Sequence, residues 1–211
     1  MSVTNLPRGR FTDALIAVSV FALLFVGAVV GFQAAAIGFG FVPLELASGV
    51  WRQDPWFWLS PLASLFLPSD LLSAVFNLVF LLIAGRYVER AIGPVGLGVL
   101  FVVAGYAGAL GRLVLTPHSP IPSAGMDPAL FGVISAYFTL YGVPEALPTW
   151  RGFGRAGQIA SLALFWIAFQ LILALAAGSF DPSTGLVSPI FGLVAGMLLA
   201  RPLLAWRYRG A

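Results

Sequence analysis

An acid stands where a membrane-embedded helix is set to begin: Gly125-Met126-Asp127-Pro128 leads into an apolar run from Ala129 to Tyr141. Its carboxylate could be a nucleophile, half of an acid pair, or a helix cap. Attack on an amide would give a mixed anhydride, and no histidine or lysine is placed to protonate the leaving amine. An aspartyl pair needs a second carboxyl sharing one proton. The distant candidates for it, Asp70 and Asp181, fall in outer loops, and no Gly-x-Gly-Asp motif occurs. A cap asks for least: an accepting side chain at the N-cap, then a proline where no N–H is needed. Cysteine is absent and His118 is the single histidine, so thiol chemistry, disulfides and an ordinary zinc site drop out, and neither cofactor nor metal is implied. His118 lies among Pro117, Pro120 and Pro122. A pairing with Ser123 would sit outside any membrane cavity, so His118 reads as a solvated loop residue.

The elements that must position these residues are membrane helices. The chain is 60% hydrophobic and 9% charged, too apolar for a soluble domain with a solvated surface. Six apolar runs stand out: Ala14 to Gly38, Leu71 to Gly85, Val95 to Leu115, Ala129 to Tyr141, Ile159 to Ala177 and Val187 to Ala200. They predict an all-α polytopic bundle of six transmembrane helices, with 1–211 as one domain. All eleven cations are arginines, scattered singly rather than clustered as a nucleic-acid face requires. With the N-terminus inside, cytoplasmic segments hold Arg8, Arg10, Arg86, Arg90, Arg151, Arg155, Arg201, Arg207 and Arg209, and only Arg52 and Arg112 lie outside. That asymmetry places both termini in the cytoplasm. Arg8 and Arg10 before the first run, with Ala34, Ala35 and Ala36 after it, could also mark a signal peptide, but the run is long for one. The lysine-free, arginine-rich composition fits a bacterial inner membrane.

The fourth run is short. A span of hydrocarbon takes about 20 helical residues, so this helix is expected to start at depth, where its free N–H groups must face protein or water rather than lipid. Residues 125–128 then line an internal cavity. Before it, Trp51, Trp56, Phe57 and Trp58 cluster with Pro55 and Pro61, too interrupted for a span and suited to the interface. Gly105, Gly108 and Gly111, and the Gly192-x-x-x-Gly196 pair, read as close-approach positions between helices.

Three stretches resemble one family. Phe66-Leu67-Pro68-Ser69-Asp70-Leu71-Leu72-Ser73-Ala74-Val75-Phe76-Asn77, followed by Gly85-Arg86-Tyr87-Val88-Glu89, is similar to the rhomboid pattern F-L-H-x-x-x-x-H-x-x-x-N with G-R-x-x-E. Pro117 to Tyr137 resembles the segment carrying G-x-S-G-A-[IL]-x-G, with Gly125 on the first glycine and Ala129, Leu130 and Gly132 on its end. Pro189 to Gly196 resembles the H-x-x-G-x-x-x-G of the last rhomboid helix. The likeness covers roughly residues 56–201.

The resemblance implies an intramembrane serine protease fold, in which a serine and a histidine form a dyad and an asparagine and a histidine help hold the oxyanion. Carried over by position, Asp127 replaces the serine, Pro128 the glycine after it, Pro189 the catalytic histidine, Ser73 the oxyanion histidine and Pro68 another histidine. Asn77 is retained, as are Gly85, Glu89, Gly132, Gly192 and Gly196, taken as helix-packing positions. A dyad needs a nucleophile and a base within hydrogen-bond reach, and neither is present. The expectation is a pseudoprotease with no catalytic residue. Its site, Asn77, Gly125, Asp127 and Pro128, would bind transmembrane helices of client or partner membrane proteins. The alternatives are an active protease with nonstandard residues and a structural subunit of a membrane complex. A proton-relaying transporter is weaker, because Asp127 has no ionisable partner.

Overall fold

In a computed structural model, residues 7–52, 54–142, 157–161 and 183–209 are described, with positions 154, 164 and 168. Most of the fifth apolar run, with Arg151, Arg155 and Asp181, lies outside them.

The first run is two helices rather than one. Helix α1 (Arg10–Phe25) continues through a π-helical turn (Val26–Val30) and stops at Gly31, after which α2 (Phe32–Phe39) begins. Gly31 has φ 85°, a region glycine enters without the steric cost other residues meet, and that reversal breaks an otherwise uniform apolar stretch. The aromatic segment follows as α3 (Leu44–Ala47), a 3-10 turn (Val50–Arg52) and α4 (Trp56–Ser64). At nine residues α4 is about 14 Å long, well short of a span. Phe57 points into the protein while Trp56 and Trp58 are exposed, and the Tyr106 hydroxyl donates to the Trp58 carbonyl at 2.8 Å.

Helices α5 (Leu71–Phe80) and α6 (Arg86–Leu115), joined by a π-helical turn (Leu81–Gly85), make a 45-residue apolar stretch. It folds back on itself at Gly93, whose φ of 80° and ψ of 168° interrupt the helix just before Pro94. The contacts show the reversal. Phe11 meets both Glu89 and Gly98, at one end, while Asn77 and Gly108 both meet the start of the fourth run, through Asp127 and Pro128, at the other. Each arm, 71–92 and 94–115, is thus about 33 Å long, enough to cross a bilayer. The second run was expected to end at Gly85. It continues to Ile92 because a helix tolerates one glycine, whereas Gly93-Pro94 removes both helical dihedrals and an N–H. Arg86 and Arg90 are therefore helical rather than loop residues.

Helix α7 (Asp127–Tyr141) is about 22 Å long, and α8 (Ser188–Arg207) follows a further π-helical turn (Ser183–Val187). The last run was expected to stop at Ala200. It carries on through Arg201 and Pro202 to Arg207. Among the described residues, three stretches are long and apolar enough to cross a membrane: Arg10–Val30, Leu71–Leu115 and Gly185–Arg207. The protein is an integral membrane protein, helical among the described residues save one isolated antiparallel bridge between Phe41 and Ser123. The short α7 is the centre of the bundle, packed between α6 and α8. Ala129, Leu130, Val133 and Ala136 meet Leu97, Leu100 and Phe101 of α6 and Ala200 and Leu203 of α8 in one core. Large apolar side chains on the other faces, among them Phe21, Leu24, Leu72, Val75 and Leu198, remain exposed, as lipid-facing positions do.

Candidate functional site

Small residues let the helices around α7 touch backbone to backbone. A methyl group on Gly192 would overlap the Pro128 carbonyl, and one on Gly196 would overlap that of Gly132. One on Gly132 would strike Ala104, and one on Gly108 would strike the Pro128 ring. Hydroxyls then bond across the seams: Ser135 donates to the Leu193 carbonyl at 2.8 Å and Ser188 to that of Gly108 at 3.3 Å. With no water in the bilayer core to compete, such bonds and close contacts take the place of hydrophobic drive.

This packing seats the start of α7 against α5. Asp70 caps α5, accepting from the Ser73 N–H at 2.8 Å and from the Ser73 hydroxyl at 2.7 Å, so Ser73 is committed to the exposed end of its own helix. One turn further in, Asn77 is buried and its amide donates to the Asp127 carboxylate at 3.0 Å. The expected capping role of Asp127 is corrected here. Met126 occupies the N-cap position without a side-chain bond, Asp127 is the first helical residue, and Pro128 the second. The carboxylate reaches across to the Asn77 amide on α5. Gly125 makes room for it: at φ 116°, a Cβ would lie 2.8 Å from Asp127 Oδ2, and the Gly125 N–H is tied to the Ser64 carbonyl at 3.0 Å.

Asn77, Asp127 and Gly125 therefore come together, whereas Pro128 is buried in the seam between Gly108 and Gly192, and Pro189 is buried in the first turn of α8. Beside the Asn77–Asp127 pair lies a cavity walled by Leu65, Phe66, Pro68, Asn77, Gly125 and Met126, with about 20 Å³ of space for water, roughly one molecule. Of residues 125–128, expected to line an internal cavity, Gly125 and Met126 line this small one, while Pro128 is drawn into packing. His118 is exposed in the loop after α6, and among the described residues no hydrogen bond joins it to Ser123, whose N–H bonds the Phe41 carbonyl at 2.8 Å. No group of three or more His, Cys, Asp or Glu fit to hold a metal occurs among the described residues.

Two charged residues do work that their spacing did not disclose. Glu89, taken as a packing position beside Gly85, caps the N-terminus of α1: it accepts from the N–H groups of Phe11 at 3.0 Å and Thr12 at 2.8 Å and from the Thr12 hydroxyl at 2.7 Å. Gly9 and Gly85 allow the approach, since a Cβ on either would sit within 3 Å of Glu89 or Thr12. Arg112, read as an outer-loop charge, is fully buried in the last turn of α6. It donates to the Ile121 carbonyl at 2.7 Å and to Ser119 Oγ at 3.4 Å, with the Phe41 carbonyl at 3.5 Å, and so pins the loop before α7 to the segment after α2. A guanidinium buried under a loop leaves no local pattern in a sequence.

The family description "Rhomboid domain" matches residues 47–206, well over half of the chain. No curated protein matches it.

Proposed function

Because the chain belongs to the rhomboid family, whose members are intramembrane serine proteases, we propose that it is a rhomboid pseudoprotease that binds transmembrane helices of client or partner membrane proteins without cutting them. The observation that carries this reading is the Asn77–Asp127 hydrogen bond at the start of α7. At the nucleophile position stands a carboxylate already engaged by the one retained member of the polar set. At the base position stands Pro189, whose ring has no nitrogen able to take a proton, and Pro128 offers no N–H to an oxyanion. Ser73, at the oxyanion-histidine position, is held by Asp70. Against these losses stand the close helix seams at Gly132, Gly192 and Gly196, which keep the scaffold's shape. A scaffold with its packing kept and its chemistry removed is suited to binding.

A rhomboid bundle of six spans, with 1–211 as its single domain, is part of the same reading. So is its orientation. Arg10, Arg86, Arg90 and Arg207 gather at the end where Glu89 caps α1, and Arg207 donates to the carbonyls of Glu89 and Arg90. The excess of positive charge supports placing that end, with both termini, on the cytoplasmic side of a bacterial inner membrane.

The test is mild-detergent affinity purification from native membranes, with mass spectrometry of what stays bound, run beside a cleavage assay on a transmembrane substrate. Membrane proteins retained without cleavage support the proposal. Cleavage that disappears in Asp127→Asn overturns it.

A further inference from the structure

The cavity beside Asn77 has a polar wall on α1 that the rhomboid motifs do not include. Ser19, in the third turn of α1, is 6% exposed and lines this cavity, and among the described residues its hydroxyl has no hydrogen-bond partner. A helical serine ordinarily bonds a carbonyl one turn back, as Ser60 and Ser64 bond the carbonyls of Phe57 and Pro61 on α4. Ser19 does not, and a buried hydroxyl left without a partner is destabilising. Across the cavity stands the Asn77 amide, which already donates to Asp127. Leu65, Phe66 and Leu67, in the turn after α4, line it as well.

We propose that this cavity is a binding site for a single water molecule, held by Ser19 Oγ and the Asn77 side chain, which joins α1 to the Asn77–Asp127 pair. Size selects the ligand. The space is about 20 Å³, above the 10–15 Å³ that one water requires and far below what a client side chain or organic molecule needs. Polarity supports it, since a water persists in a protein interior where it finds two to four polar partners. Ser19 is thereby a positioning residue: through the water it fixes the rotamer with which Asn77 faces Asp127, and it ties the first helix to a site otherwise built from α5 and α7. The inference stands on the cavity and the unpartnered hydroxyl, and holds whether or not the site binds helices.

Met126 makes the water visible, because this residue lines the same cavity and is only 6% exposed. X-ray radiolytic footprinting of the intact protein in lipid nanodiscs, with rapid mixing into ¹⁸O water, reports radicals born on waters next to a side chain. The expected result is oxidation of Met126 despite its burial, with ¹⁸O uptake slower than at exposed Trp58. In Ser19→Ala, Met126 oxidation falls about threefold or more, one of the water's anchors being gone, while Trp58 is labelled as before. Wild-type Met126 that stays unoxidised overturns the proposal without recourse to any variant. Equal Met126 labelling in wild type and Ser19→Ala, with Trp58 unchanged, overturns the assignment of Ser19.

Discussion

Replacing Glu89 by glutamine keeps the shape of the side chain and removes the charge that caps α1. In the native protein Glu89 Oε1 accepts from the Phe11 N–H, and Oε2 accepts from both the N–H and hydroxyl of Thr12. Glutamine has one acceptor. With its oxygen toward Thr12, its NH₂ faces the Phe11 N–H donor to donor, and one charge-assisted bond of about 1.5–3 kcal/mol is lost. The two bonds to Thr12 become neutral, and the favourable placement of an anion at a helix N-terminus, about 0.3–1 kcal/mol or more when partly buried, goes as well. Allowing for non-additivity within one network, Glu89→Gln is expected to cost about 3 kcal/mol. Arg86→Gln is the matched control, because its pair with Asp13, 2.7 Å apart, is partly solvated at the same end of the bundle, and exposed ion pairs contribute about 0–1 kcal/mol. The measurement is reversible unfolding in mixed micelles of both variants, with hydrogen exchange at the Phe11 and Thr12 amides. Faster exchange there, and a loss for Glu89→Gln several times that for Arg86→Gln, is the expected outcome. A Glu89→Gln protein within about 0.5 kcal/mol of wild type, less than one ordinary hydrogen bond, would refute the capping argument.

Other perturbations follow from the same geometry. Gly192→Ala drives a methyl into the Pro128 carbonyl, which is backbone and cannot rotate away. It is expected to destabilise by about 3 kcal/mol, the upper range for overpacking, in the same unfolding assay, whereas Gly38→Ala, where a Cβ meets nothing within 4 Å, leaves stability within about 0.5 kcal/mol of wild type. Arg112→Met keeps the apolar stem and strands the Ile121 carbonyl. Limited proteolysis between residues 116 and 123 should rise sharply while helix content by circular dichroism stays level, because the guanidinium holds a loop and not a span. Tyr106→Phe removes one neutral bond to the Trp58 carbonyl and should cost about 1 kcal/mol in stability, with increased Trp58 quenching by an aqueous quencher as the interfacial α4 loosens.

Much of the architecture is written in composition. Spans follow from apolar length, since a bilayer admits only backbone that bonds to itself, and the shortness of α7 and the interfacial character of α4 follow from run length and from where prolines and tryptophans interrupt. The proposed exchange of acid and proline for a dyad likewise rests on residue type alone, since Asp127 and Pro189 are what they are in any fold. Helix limits were less so. Gly85 looked like an end and Gly93 was one, and the decisive difference was the proline after it.

What only the tertiary structure decided is which distant groups meet. Asp127 turns from its own helix to Asn77, fifty residues earlier in the chain; Glu89 closes the start of a helix 77 residues before it; Arg112 vanishes under a loop; and Ser19 faces a cavity rather than a carbonyl. Periodicity and motif spacing report on neighbours along one helix. The partner of a buried polar group is set by how helices are seated against one another, and in this bundle that seating depends on glycine backbones touching carbonyls at Gly132, Gly192 and Gly196, a fit that exists only once α7 is enclosed by α6 and α8.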